Sequence, residues 1–245
     1  PLHHNILMER KAIGVRGNVM RVLDIAWFLN QIIDDRFLDS GLKKRYFLRP
    51  LPEDEKMYFI RTSDPIRYGT VGLAIKRICT ENIEGSFAEI GAYRGEMSGF
   101  IHKLAPDRSF YVFDTFEGFP AQDLDEDAKK DDRFKDTDLD IFIRNVGDML
   151  NVRIKKGYFP DTTVGLEAER FAFVLFDLDL FPPTIAGLNF FYPRMAPGGY
   201  MVLHDYNNPE SKWAVSRATD SFFKDKPEKV IEIPDAWGSV IVRKM

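Results

Sequence analysis

The stretch LFDLDLFPP, residues 175–183, sets Asp177 and Asp179 at the end of an apolar run suited to a buried strand. A second run, GYMVLHD at 199–205, ends on His204 and Asp205. If side chains alternate along the first run, Asp177 and Asp179 point the same way and Leu178 the other, so their carboxylates converge. At about 4 Å two such charges repel by roughly 1 kcal/mol in water and about 4 kcal/mol at an effective dielectric of 20. A shared proton would offset that cost, and so would a divalent cation, which prefers hard oxygen ligands. Asp205, delivered by a neighbouring strand, adds a third carboxylate, and no lysine stands near it in sequence. The pattern therefore predicts a bound cation. The structural alternative has Asp179 capping the next helix and Asp205 bonding loop amides.

Two further strand ends carry chemistry. In EIGAYRG, 89–95, Gly91 and Gly95 allow a tight turn and close approach of a ligand before a helix begins. The dinucleotide fingerprint G-x-G-x-x-G would need glycine at Tyr93, which weakens the case for a nicotinamide or flavin cofactor. The spacing acid-x-Gly-x-x-x-Gly instead resembles the first motif of class I S-adenosylmethionine-dependent methyltransferases. In FDTFEGFP, 113–120, Asp114 closes a strand about 25 residues after Glu89, where a carboxylate accepts two hydrogen bonds from vicinal ribose hydroxyls. Its plainer reading is a turn or cap aspartate. Phe116 and Tyr158, the latter in KKGYFPD, are candidates to sandwich an adenine ring or, equally, to pack in the core. With Ala92, Tyr93, Thr115 and Gly157 they complete the expected cofactor set.

These ends need a sheet to hold them together. Short apolar runs at 86–90, 110–114, 152–156, 171–177, 199–205, 229–233 and 239–244 predict seven strands. Segments long enough for crossover helices separate the first five. The predicted fold is α/β: a Rossmann-like, mostly parallel seven-stranded sheet with helices on both faces. Only PDAWG, 234–238, joins the last two runs, so they form a hairpin that leaves one antiparallel strand. A helix is expected over 68–82, and residues 138–150, 184–195 and 211–225 carry further helical patterns. The charged segment 121–140 reads as a solvated loop or, alternatively, a lid over the site.

Apolar residues from Asn18 to Ile33 recur at helical spacing, and the turn-rich RPLPEDE, 49–55, follows them. The expected organisation is a helical arm, 1–50, and a catalytic domain, 51–245. An amphipathic arm packs on its own body or on a second copy, which leaves a homo-oligomer open. A formal net charge of -4 excludes a general nucleic-acid binder and favours a small-molecule partner. The single cysteine, Cys79, excludes an internal disulfide, and no run approaches the roughly 20 apolar residues of a membrane span. No signal-peptide pattern is read at its start, so a cytoplasmic protein is expected.

Taken in order, these blocks resemble the macrocin O-methyltransferase family, a metal-dependent branch of the class I methyltransferases that modifies sugar hydroxyls. FDTFEGFP is similar to that family's D-S-F-x-G-x-P and GYFPDT to its G-W-F-x-x-T. The stretch from FDLDLFPP to LHDY is similar to a block reading D-x-D-L-Y, then Gly-Gly-Tyr and D-D-Y. The resemblance spans roughly Arg67 to Arg243. It implies Glu89, Gly91, Gly95 and Asp114 as contacts to S-adenosylmethionine, Asp177 and Asp205 as magnesium ligands, and Asp177 as general base. His204 departs from it by standing where the family has aspartate. Three roles follow for it: a structural residue beside the ion, the base itself without a metal, or a ligand to a softer ion such as manganese. Two other classes compete: a glycosyltransferase holding a nucleotide-sugar through a metal on the D-x-D, and a methyltransferase-like module that binds without catalysis.

Overall fold

A computed structural model describes Thr62 and residues 64–124 and 131–245. The expected arm at 1–50 and the middle of the charged segment lie outside the described residues.

Seven strands form one sheet: β1 (Ser86–Ile90), β2 (Phe110–Asp114), β3 (Val152–Lys156), β4 (Phe171–Phe176), β5 (Met195–Leu203), β6 (Ile231–Ile233) and β7 (Ser239–Arg243). Their spatial order is β3-β2-β1-β4-β5-β7-β6. The first five are parallel, and β7 alone runs against its neighbours β5 and β6. Position in the sheet follows from sequence. FAFVLF of β4 and SFAEI of β1 are buried at every residue, as central strands covered on both faces must be. VRIKK of β3 and IEI of β6 alternate charge and apolarity, and they take the edges.

The helices are α1 (Pro65–Thr80), α2 (Glu96–Leu104), α3 (Leu139–Val146), α4 (Phe181–Phe191) and α5 (Ala214–Phe223). The α1 helix begins three residues before the expected Tyr68. Asp64 caps it, accepting from the Arg67 amide at 3.1 Å, and Pro65 follows in the first turn, where its missing N–H costs nothing. Helices cover both faces. On one face Glu89 meets Ser98 of α2; on the other Ala88 and Ile90 join a core with Leu188 and Phe191 of α4. The Phe191 ring stands edge-on to Phe171 at 4.9 Å, Phe113 at 5.8 Å and Phe176 at 5.9 Å. Full burial of such a ring contributes about 1.5–3 kcal/mol. Between β3 and β4 the expected crossover helix is absent; residues 157–170 make one 3-10 turn, Asp161–Thr163.

Strand order reverses between β1 and β4, whose successors lead to opposite sides of the sheet. A crevice therefore opens beyond their carboxyl ends, and that is where the polar motifs lie.

Candidate active site

The β1–α2 turn is shaped by contacts that admit only glycine. Gly91 has φ +83°, and a Cβ there would lie 1.9 Å from the Asp177 carbonyl oxygen. Gly95, φ +84°, is the N-cap of α2 and faces the Phe142 ring, which a Cβ would meet at 2.7 Å. Asp114 locks the turn from β2. Its Oδ2 accepts from the amides of Ala92 at 2.7 Å and Tyr93 at 2.8 Å, and its Oδ1 from that of Phe116 at 2.6 Å. Burial pushes its pKa up against the pull of those three amides.

Beyond β4 the chain leaves the strand at Phe176, so the alternation expected of Asp177 and Asp179 does not apply. Asp179 instead adopts φ +57°, and Asp205 φ +60°, a left-handed backbone that aspartate tolerates better than most residues. The reading of Asp179 as a helix cap does not match this placement. The atoms that converge belong to Asp177, His204 and Asp205, all within 4.8 Å of one another, while α4 has no side-chain cap. Asp179 is buried nearby, and burial, then the charges of Asp205 and Asp177, push its pKa well up.

The expected excess of negative charge at Asp177 is already balanced. The Arg67 guanidinium, set in the first turn of α1, donates Nη2 to Asp177 Oδ2. His204 Nδ1 lies 3.1 Å from Asp177 Oδ1 and 2.9 Å from Asp205 Oδ2, and its Nε2 3.0 Å from the Ala236 carbonyl. Asp205 Oδ1 accepts from Asn208 Nδ2 at 3.0 Å. Burial would raise the Asp177 pKa, but Arg67 and then His204 hold it below the usual carboxylate range. Burial likewise opposes protonation of His204, yet Asp177 and Asp205 push the imidazole up to about 10.

One cavity of about 480 Å³ joins the two halves of the site, a size suited to a small ligand. Gly91, Tyr93, Asp114, Thr115, Gly157 and Tyr158 line it together with Arg67, Asp177, Asp179, His204 and Asp205. The described ends of the charged segment line it too. Phe134 packs edge-on to Tyr93 at 5.3 Å, and Arg133 pairs with Asp131 at 2.8 Å while reaching Glu210 at 3.6 Å and Asp179 at 3.9 Å.

Residues 66–237 match the family described as Macrocin-O-methyltransferase (TylF). The chain belongs to this family. Among its relatives, mycinamicin III 3''-O-methyltransferase of Micromonospora griseorubida is 30% identical over 159 residues, 57% of this chain and 62% of that protein. Demethyldecarbamoylnovobiocin O-methyltransferase of Streptomyces niveus is 28% identical over 160 residues, 57% of this chain and 60% of its own. The matched stretches thus span only about three fifths of these relatives. The solved structure of the O-methyltransferase NovP superposes with a TM-score of 0.62 at 23% identity, covering 74% of this chain and 80% of that one. That likeness establishes the class I methyltransferase fold.

Within this macrocin O-methyltransferase scaffold, the expected residues divide. Glu89 is 1% exposed beneath the turn, where it accepts from Ser98 Oγ, and it does not line the cavity. Burial, then the charges of Asp177 and Asp114, outweigh Ser98 and Arg67 and push its pKa up to about 8. Phe116 is 3% exposed and packs edge-on to Phe142 at 5.3 Å, so an adenine sandwich with Tyr158 does not form on that side. Tyr158 lines the cavity and donates to Asp123 Oδ1 at 2.8 Å. Ala92 and Gly95 support the turn without lining the cavity. Sequence reasoning missed Arg67, Arg133 and Trp237. The Asp-Pro pair at 64–65, an N-cap followed by the first helical position, was the signal that placed Arg67 in a first turn. Trp237 sits in the short β6–β7 connection at the cavity rim, and its pattern carries no such signal.

Proposed function

We propose that this protein is an S-adenosylmethionine-dependent O-methyltransferase acting on a hydroxyl of a sugar-bearing small molecule. The observation that carries the reading is the single cavity shared by the glycine turn, Asp114 and the Asp177–His204–Asp205 cluster. Family membership and the sugar-methylating names of its relatives, including a tetracenomycin rhamnosyl 4'-O-methyltransferase, support the substrate class.

In this reading the turn and Asp114 hold the donor, and Asp177 receives the acceptor hydroxyl as a hydrogen-bond donor. The hydroxyl oxygen attacks the methyl carbon, the O–C bond forms as the C–S bond breaks, and the electron pair returns to sulfur. The proton passes to Asp177 and on to solvent. A carboxylate held below its usual range is a weak base. It suffices here, because an alkylated oxygen still carrying its proton is a far stronger acid than a carboxylic acid. His204, whose Nδ1 faces the carboxylates of both Asp177 and Asp205, orients Asp177 rather than acting as base. A magnesium ion does not fit this donor set, in which one position is imidazole and Asp177 already faces a guanidinium.

Calorimetric titration with S-adenosylhomocysteine and with uridine diphosphate tests the class. Heat with the first supports the proposal, and heat only with the second sinks it in favour of glycosyl transfer. Asp177→Asn should lower methyl transfer to a panel of rhamnosides by roughly 10²–10⁴-fold, with S-adenosylhomocysteine affinity changed no more than a few-fold.

A further inference from the structure

We infer that this chain has exchanged the divalent ion expected at its family's acceptor site for two fixed side-chain N–H donors, Arg67 and His204, and that the site binds no divalent metal. The inference rests on the reading of this cluster as the acceptor site. Its evidence is the hydrogen-bonding pattern around four carboxylate oxygens.

Each of those oxygens faces an N–H group. Asp177 Oδ2 accepts from Arg67 Nη2, and Asp177 Oδ1 and Asp205 Oδ2 from His204 Nδ1 at 3.1 and 2.9 Å. Asp205 Oδ1 accepts from Asn208 Nδ2 at 3.0 Å. Because Nδ1 lies between two carboxylates, which only accept, it must carry a hydrogen. The other ring nitrogen, Nε2, points away from the two aspartates, 3.0 Å from the Ala236 carbonyl and 3.5 Å from Arg67 Nη1. An Nδ1 that carries a hydrogen offers no lone pair to an ion lying between Asp177 and Asp205. Arg67 thus meets two members of the cluster, Asp177 through Nη2 and the His204 ring through Nη1 at 3.5 Å. The oxygens that an ion would need are therefore taken by N–H groups that belong to the chain.

Both donors are held by the fold. The Asp64 cap fixes the α1 turn that carries Arg67, and the other oxygen of Asp64 accepts from the Ala236 amide at 3.1 Å, so one aspartate ties α1 to the connection whose carbonyl receives His204. His204 itself is pinned by its amide to Phe176 in β4 at 2.9 Å. An ion entering this cluster would displace the guanidinium and strip a proton from the ring. The two side chains thus act as positioning residues: they keep Asp177 ionised and aimed.

Manganese is the probe, read by electron paramagnetic resonance on the intact protein with and without S-adenosylhomocysteine. The expected result is no binding tighter than about 1 mM, and methyl transfer unchanged by EDTA. Stoichiometric binding at micromolar manganese, lost in Asp177→Ala, overturns the inference. The double variant Arg67→Ala, His204→Asp restores an acid and removes a cation, so it should bind manganese at least about 10-fold more tightly than wild type. A folded double variant with no gain also overturns the inference; if it does not fold, the wild-type titration decides. Manganese binding is measured without turnover, so this result stands apart from the S-adenosylhomocysteine titration that tests the function itself.

Discussion

Glu89 is the sharpest test of how the site's electrostatics and the fold's stability are joined. It lies in the central strand β1, paired between Val112 and Leu175, and is 1% exposed. Its pKa rises from 4.5 to about 8, chiefly by burial and then by Asp177 and Asp114. A folded-state value raised above the unfolded one means that the protonated form supports folding. That support is complete below about 4.5 and is lost as pH climbs through about 8. The full span corresponds to roughly 5 kcal/mol, of which about 3 kcal/mol is already lost at neutral pH. Glu89→Gln removes the titration while keeping an amide that can accept from Ser98 Oγ. In urea unfolding, the variant should match wild type to about 1 kcal/mol near pH 5 and exceed it by a growing margin towards pH 9. A gap that stays constant across this range, or wild type gaining on the variant with rising pH, refutes the reasoning. Because Glu89 sits behind the turn rather than on the cavity wall, S-adenosylhomocysteine affinity should stay within a few-fold.

Gly91→Ala forces a Cβ to 1.9 Å from the Asp177 carbonyl at φ +83°, and should cost at least about 3 kcal/mol in thermal unfolding. Where the variant remains folded, methyl transfer should fall more than cofactor affinity, because the backbone it displaces carries Asp177. Phe116→Ala, which empties a buried ring site against Phe142, should cost about 3–5 kcal/mol. Tyr158→Ala should do the reverse, weakening S-adenosylhomocysteine binding with little loss of stability, as calorimetry and unfolding of the two variants will compare.

The sheet was legible because its strands differ by depth. FAFVLF has no polar residue and SFAEI only Ser86 and Glu89, so both announce burial on two faces, and all seven strands fall where apolar runs predict them. Boundaries were less so. The β5 strand begins at Met195, before the expected 199, because a register shift against β4 lets pairing start ahead of the Gly198–Gly199 pair. Asp64 and Pro65 extended α1 by a cap that periodicity alone does not report. Residues 157–170 had the length for a crossover helix but form only a short turn, since β3 lies at the edge and the chain returns to β4 past two nearer strands.

The site divided along a physical line. Residues that end strands converge because parallel strands share a direction, so Asp114, Asp177 and Asp205 could be brought together from spacing alone. Their counter-charges could not. Arg67 precedes β1 and reaches Asp177 across 110 positions of chain, a contact that no local pattern encodes. Without it, three acids argued for an external cation. With it, Asp177 and Asp205 face N–H donors of the chain itself, and His204 ceases to be an anomaly. A carboxylate at that position would add charge to a site whose nearest partner is an arginine already committed to Asp177, whereas the His204 ring sets Nδ1 between Asp177 and Asp205. The identity of residue 204 and the presence of Arg67 are thus two parts of one electrostatic solution, and a chain that changed only one of them would leave a buried charge unpaired.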